Sequence, residues 1–316
     1  MAAMVIRSFS ATGTTSAVST RHAAPRRQDI EALRLLSCWG IVSFHVRPAG
    51  AAWAYGGLVA FIVLSVYLGG AGAAQPPWGR IRQRARRLLL PWALWAAAYG
   101  GLNLARGGAF WPADHGLLAA VLAGPSIHLW YLPFMFACLL ALDALRWLLP
   151  PRLLSTGAGL AAVAVVATVP LWRPLSLHWH YPWLQWMDAL APLLVGVFLS
   201  GAAALPRAQR LALYAALGLA VAWVCSQEWL GPALLLGLGA TALVASGRTA
   251  GLVHLDLTPL SGCTFGIYLV HIAVWTLLLD HGWAPPRLLP EAIVLISLGL
   301  VAALRRIAPR WASVWS

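Results

Sequence analysis

The chain contains no lysine, so its 22 strongly basic residues are all arginine, set against nine acids. Charged side chains occupy only 10% of the 316 positions, where a soluble domain carries roughly 25%. That shortage excludes a water-solvated globule of this size, and lipid must cover much of the surface. Strict apolar–polar alternation, the mark of half-buried strands, is also scarce. In lipid every backbone N–H and C=O needs an internal partner, which leaves helices or closed barrels, and the long Leu/Ala/Val runs select helices. The four cysteines, Cys38, Cys138, Cys225 and Cys263, each sit inside an apolar run with no C-x-x-C pair. They read as small buried hydrophobes and support neither a disulfide framework nor a metal site. The expected fold class is all-α, a polytopic membrane helix bundle.

Hydrophobic residues make up 60% of the chain. Runs near the roughly 20 residues needed to cross a bilayer fall at Ile30–Val46, Trp53–Ala73, Leu88–Ala105, His128–Leu149, Leu153–Trp172, Trp183–Leu205, Leu211–Ser226, Trp229–Ser246, Gly262–Asp280 and Leu288–Ile307, which makes ten. Gly116–Gly124 is too short and reads as re-entrant or interfacial. Residues 1–28 are rich in Ser, Thr and Ala, with no acid and no apolar core of signal-peptide length. They read as a disordered cytosolic tail, although a transit peptide shares the composition, and residues 29–316 form the membrane domain.

A net charge of +13 suggests nucleic acid when the basic residues form a patch. Here they lie between apolar runs, so they report topology, and no nucleic-acid partner is expected. With ten alternating spans and a cytosolic start, 18 of the 22 arginines fall on the inner side, leaving Arg47, Arg106, Arg173 and Arg287 outside. That asymmetry is the positive-inside bias. It predicts a multi-pass protein of a bacterial inner or plasma membrane, in contact with membrane lipid, with both termini in the cytosol. Tryptophans near span ends, such as Trp172, Trp179, Trp183 and Trp186, read as interfacial anchors, with sugar stacking as the alternative.

Ionisable residues within spans are costly and usually functional. Arg34 and His45 are eleven residues apart in the first run. At 100° per residue that is three turns plus about 20°, which puts both on one helix face about 16 Å apart along the axis. One face thus carries a guanidinium at the cytosolic mouth and an imidazole deep toward the far side. Arg80, Arg82, Arg84, Arg86 and Arg87 crowd eight positions of an inner segment, where they suit a polyanion or simply hold the segment in the cytosol. His271 falls in the middle of the ninth run. His178 and His180 flank Trp179 without a carboxylate nearby in sequence and read as residues of a wet loop.

Taken in order, these segments resemble the acyltransferase-3 family of membrane O-acyltransferases, which modify surface polysaccharides, lipid-linked sugars and some antibiotics. Asp29, Arg34 and His45 resemble the family's opening D-x-x-x-x-R and its following histidine. Leu64-Ser65-Val66-Tyr67-Leu68 is similar to L-S-G-Y-L, and Arg84-Ala85-Arg86-Arg87 before Pro91 to R-x-x-R. Leu129-Trp130-Tyr131-Leu132 resembles L-W-F-L, and Ile267-Tyr268-Leu269-Val270-His271 resembles I-Y-L-x-H. Val66 departs from the family, which generally has glycine there; a β-branched residue should hinder close helix approach or change the pocket.

The resemblance implies a donor acyl-coenzyme A, acetyl foremost, used as co-substrate with no bound cofactor. It implies an acceptor hydroxyl on a glycan, a lipid-linked sugar or a small molecule on the far side. The residues fit that logic: Arg34, Arg84 and Arg87 for the donor's phosphates, His45 as general base, and His271 to orient the acceptor or partner His45. Ser65, Tyr67, Trp130 and Tyr268 are expected around the pocket. Ser65 has no base beside it in sequence, which favours direct transfer over an acyl-enzyme. The rival class is a transporter or flippase of an anionic solute or lipid, but the internal repeats typical of transporters are not visible.

Overall fold

The computed structural model describes residues 26–46, 49–69, 77–111, 116–282 and 288–309. The expected N-terminal tail lies outside these residues apart from its last three positions, as do Arg47, Arg287 and Arg310. Every regular element among the described residues is helical. In chain order these are α1 (Gln28–Val46), α2 (Ala51–Ala54), α3 (Gly56–Leu68), α4 (Pro77–Arg84), a π-helical turn (Ala85–Leu89) and α5 (Leu90–Ala105). There follow α6 (Gly116–Ala123), α7 (Tyr131–Leu148), α8 (Pro151–Ala167), α9 (Val169–Ser176), α10 (Trp183–Gly201), a 3-10 turn (Ala202–Ala204) and α11 (Arg207–Cys225). The chain continues with α12 (Gly231–Ala245), α13 (Thr258–Ser261), α14 (Thr264–Asp280) and α15 (Leu289–Ile307).

Helix occupies each of the ten predicted spans. Five stretches are long and apolar enough to cross a membrane by length and composition, and a sixth joins them if the bent pair α8 and α9 is one span. The others depart for identifiable reasons. α1 carries Asp29, Glu31 and Arg34, and α15 carries Glu291, Arg305 and Arg306. α12 and α14 are apolar but only 15 and 17 residues long. Large apolar side chains such as Leu211, Leu219, Leu295 and Leu300 face outward, the inverse of a soluble surface and the expectation for a lipid-facing one.

Two segments differ from the sequence expectation. The arginine run, expected to lie between spans, is part of a helix that continues into the third: α4, the π turn and α5 form one continuous helix from Trp78 to Ala105. Pro91, at the start of α5, has no N–H to donate back and its ring crowds the carbonyl of Arg87. The π turn immediately before it widens the backbone where that bond is lost. The fifth span, Leu153–Trp172, is two helices bent by 68° after Ala167. Pro170 removes a backbone donor there, and the Thr168 hydroxyl turns back onto the Ala164 carbonyl at 2.7 Å.

α3 is the hub, packed by α1, α10 and α12, with α8 and α11 beyond α10. α1 also packs against α14 and α15, which share a second core around Cys38, Val42, Ile267 and Ile293. Tyr99 of α5 ties into α14 by donating to the Leu269 carbonyl at 2.8 Å while accepting from the Ala273 N–H at 3.1 Å. One end of the bundle gathers the start of α1, the end of α12 and the arginines of α4, with Arg27 bonded to the Val244 carbonyl. The other end gathers the tips of α5 and α14, joined by the Arg106–Asp280 ion pair.

Val66 does not keep α3 away from its neighbour, because the small residue sits on the other helix. A Cβ built at Gly196 of α10 would lie 2.7 Å from the Val66 Cβ and 3.0 Å from the Val63 carbonyl oxygen. Gly196→Ala should therefore overpack this crossing, at a cost of about 1–3 kcal/mol. Val66→Gly in the same chain removes the Cβ that the new methyl would strike, so Gly196→Ala should cost clearly less beside Val66→Gly than beside valine. Detergent thermal-unfolding midpoints of the two single variants and the double check this; a Gly196→Ala loss equal in both backgrounds would show the crossing is not the cause.

Candidate functional site

Two cavities lie one above the other along α1. The inner one, about 570 Å³, is lined by Arg34, Arg80, Arg84 and Arg87 together with Glu31, Ser65, Tyr131 and Phe265. The outer one, about 210 Å³, is lined by His45, His128, Trp130, Tyr131, Tyr268, Arg173, Gln185, Asp188 and Trp229. Tyr131 lines both. Between them the rings of Phe61, Tyr131 and Tyr268 pack on one another, with Phe61 stacked on Tyr268 at 6.1 Å and tilted against Tyr131 at 5.5 Å. The Tyr268 hydroxyl donates to the His128 carbonyl. Arg34 and His45 thus face different compartments from one helix, as their spacing requires.

The inner cavity is strongly basic on one wall. Arg80, Arg84 and Arg87 follow an i, i+4, i+7 pattern along the helical segment, while Arg82 and Arg86 are exposed away from the cavity. Their situations differ. Arg84 already makes a bidentate pair with Asp143 of α7, 2.9 Å through each nitrogen, with both side chains largely buried. Arg34 is held by Glu31 at 2.9 Å and approaches the Thr264 hydroxyl at 3.5 Å, and Glu31 in turn accepts from Ser261. Arg80 has its Nε buried without a hydrogen-bond partner. Arg87 is exposed at the mouth.

Three imidazoles meet at the outer cavity. His271 lies 5.4 Å from His45 and 5.0 Å from His128, ring centre to ring centre. His271 is fully buried and lines neither cavity, whereas His45 and His128 both line the outer one. A carbonyl can only accept, so the bond from His271 to the Tyr268 carbonyl at 2.7 Å fixes the hydrogen on Nδ1. Nε2 is left as a buried atom without a partner. By the same argument His128 donates from Nε2 to the Leu269 carbonyl at 3.3 Å, and its Nδ1 accepts from the Ser126 hydroxyl at 3.1 Å. Among the described residues no group of three or more His, Cys, Asp or Glu is disposed to hold a metal ion.

Of the pocket residues expected from sequence, Trp130 and Tyr268 line the outer cavity and Ser65 the inner one. Tyr67 is half-buried against the main core and lines neither. Val66 lines neither as well, so the replaced glycine acts on packing rather than on cavity shape. Ser65 donates to the Phe61 carbonyl at 2.7 Å, which commits its one hydrogen and leaves it to accept from the Tyr131 hydroxyl at 2.8 Å. His178 and His180 are exposed.

Sequence reading missed three participants. His128 stood immediately before the quoted Leu129–Leu132 motif but had no assigned place. Asp143 is 59 residues from Arg84, and no local signal links them. Arg173 was set aside as an outer-loop arginine, yet it is largely buried beside Asp188 and Glu228, 3.5 and 3.7 Å away, with its guanidinium 5.3 Å from the Trp229 ring centre. The bend between α8 and α9 brings it there.

A profile of the acyltransferase-3 family, described as an acyltransferase domain, matches residues 27–306. No curated protein and no solved structure matches the chain at a significant level.

The pairing of Arg84 with Asp143 separates structure from binding on one helix. Removing one partner of a buried pair costs about 3–5 kcal/mol, so Arg84→Ala and Asp143→Ala should each lower the unfolding midpoint clearly. Arg87→Ala, at an exposed position, should not. Equal midpoints for all three variants would deny the pair a structural role.

Proposed function

The chain belongs to the acyltransferase-3 family and is a multi-pass membrane acyltransferase, and from that premise we propose that it carries an acyl group, acetyl foremost, from cytosolic acyl-coenzyme A to a hydroxyl of an extracytoplasmic glycan or related acceptor. The observation that carries the reading is the pair of cavities: an arginine-lined one at one end, a histidine-lined one toward the other, and Tyr131 common to both. Coenzyme A is a polyanion with a long flexible thioester arm. Its phosphates suit guanidinium donors, which bind such oxygens in fork geometry. Arg80 and Arg87 have fork capacity that Arg84, engaged by Asp143, does not. Arg34 stands farther in, held by Glu31, where the arm would start its passage along α1.

In this reading the arm passes the ring partition and presents its thioester carbonyl to the outer cavity. The acceptor oxygen forms the new C–O bond while its proton moves to His45. The C–S bond breaks, and the departing thiolate takes up a proton from the imidazolium. His271, behind His45, positions that ring and has its own Nδ1 hydrogen committed to Tyr268. A thioester is already activated, so positioning and one base suffice. Direct transfer is favoured because the Ser65 hydroxyl is committed to Phe61 and Tyr131 and borders the inner cavity, whereas His45 borders the outer one.

His45→Ala and His45→Gln should both lower transfer about a hundred- to ten-thousandfold, the usual loss on removing a general base. Donor binding and unfolding temperature should stay close to those of the unchanged protein. Substantial turnover in the glutamine variant would make His45 a hydrogen-bonding residue and move the proton elsewhere. Arg80→Ala and Arg87→Ala should raise the apparent KM for the donor about tenfold with little change for the acceptor, because each removes a charge-assisted contact. Arginine-to-lysine variants should recover only part of that loss.

The arginine asymmetry supports cytosolic termini. A single cysteine in a cysteine-free background should react with an impermeant reagent in intact cells at His178 but not at Gln83, both exposed positions. The reverse pattern would invert the orientation and deny the donor side its place in the cytosol.

A further inference from the structure

The outer cavity is lined by residues with buried polar atoms that make no hydrogen bond in the described structure. Asp188 is only 6% exposed, yet its Oδ1 accepts no hydrogen bond. Gln185, one turn earlier on α10, has its Oε1 buried and unpartnered in the same way. Arg173 Nε donates no hydrogen bond and stands 3.5 Å from Asp188 Oδ1, an ion-pair separation without hydrogen-bond geometry. Buried polar groups are nearly always paired, and each exception in a native fold calls for a reason. Here two acceptors and one donor converge on the cavity that His45 also lines.

We propose that Arg173, Gln185 and Asp188 form the recognition subsite of the acceptor, and that it takes an uncharged, polyhydroxylated single ring by hydroxyls other than the one acylated. The inference rests on the acyltransferase reading for the cavity's role. Its chemistry follows from the unmet atoms. A hydroxyl both donates and accepts, so one oxygen set between Asp188 Oδ1 and Arg173 Nε satisfies both, and a neighbouring hydroxyl donates to Gln185. A carboxylate offers no hydrogen to the two acceptors and meets Asp188 as a like charge. An ammonium can donate to the two acceptors but offers no acceptor to Arg173 Nε, which it meets as a like charge. The volume, about 210 Å³, falls below the roughly 300–1,000 Å³ of pockets that enclose drug-sized ligands, which suits one ring and not a stretch of oligosaccharide. The indole rings of Trp130 and Trp229 line the same cavity and supply aromatic surface for the apolar side of such a ring.

Full-length protein in detergent, with acetyl-coenzyme A and three acceptors of one ring size, tests this: a methyl hexoside, a methyl hexuronoside and a methyl aminohexoside. The neutral hexoside should be the best acceptor by at least tenfold in kcat/KM. Asp188→Ala and Gln185→Leu should each raise its KM about tenfold, and Asp188→Asn, which keeps a weaker acceptor, should fall between. Donor KM should stay unchanged in all of them. Glu228→Gln removes a carboxylate outside the cavity but keeps an oxygen that can accept from Arg173, so the guanidinium stays in place and acceptor KM should remain within about twofold. Equal use of a charged ring would overturn the proposal, as would a Glu228→Gln effect equal to that of Asp188→Ala, since Asp188 would then only hold Arg173. Equilibrium binding of radiolabelled methyl hexoside keeps the two readings apart. Saturable binding that weakens in Asp188→Ala and Gln185→Leu upholds the subsite even if no acetyl is transferred, and no binding to the unchanged protein overturns it.

Discussion

The crossing of α1 over α3 is the constraint from which the site follows. A Cβ at Gly57 would lie 2.5 Å from the Ser37 carbonyl oxygen and 2.9 Å from the Gly40 Cα, and one at Gly40 would lie 2.9 Å from the Ala54 carbonyl oxygen. The two backbones touch, as at membrane helix pairs where small residues replace a hydrophobic driving force that lipid does not provide. With α1 drawn in this far, its polar face lies along the interior of the bundle. Arg34 then opens into one cavity and His45 into the other, and a single helix spans the distance between the two. A larger residue at either glycine would push α1 outward and separate both side chains from their cavities at once.

Polar groups drawn into a lipid-solvated bundle need partners, and the pattern of partners divides them by role. Asp29, at the start of α1, takes Arg27 and the Thr249 hydroxyl, and Glu31 takes Arg34 and Ser261. These bonds anchor the helix end and need nothing from a ligand. Arg84 with Asp143 is similar. Other buried atoms are left open: Arg80 Nε toward the inner cavity, His271 Nε2 behind His45, and the Arg173, Gln185 and Asp188 set at the outer one. Among the unpaired atoms, those of Arg80, Arg173, Gln185 and Asp188 belong to residues that line the cavities, where a ligand can reach them.

Much of this was legible in the sequence. The charge shortage and the apolar run lengths gave helices, and the 100° repeat put Arg34 and His45 on one face before any coordinates. The family resemblance rested on short motifs, and the structure brings several of them, through His45, Ser65, Trp130, Tyr131 and Tyr268, around the two cavities. Pairings distant along the chain were not legible. Nothing near Arg84 names Asp143 as its partner, and nothing near Arg173 says that the bend after Ala167 will bury it. Tyr67 shows the limit of motif reading: it shares a motif with Ser65, but lies two residues on, about 200° around the helix, and packs into the core. Val66 shows the converse, since a glycine missing from one helix was supplied by Gly196 on the next.

The central claim is that two cavities on opposite sides of one aromatic partition act as a single site across the membrane. Sealed proteoliposomes with the protein in one orientation test it, with radiolabelled acetyl-coenzyme A confined to the arginine side and a membrane-impermeant methyl hexoside confined to the other. Labelled acetyl ester should accumulate on the hexoside side, and exchanging the two compartments should abolish product. Product formed only when donor and acceptor share a compartment would contradict transfer through the partition between Tyr131 and Tyr268.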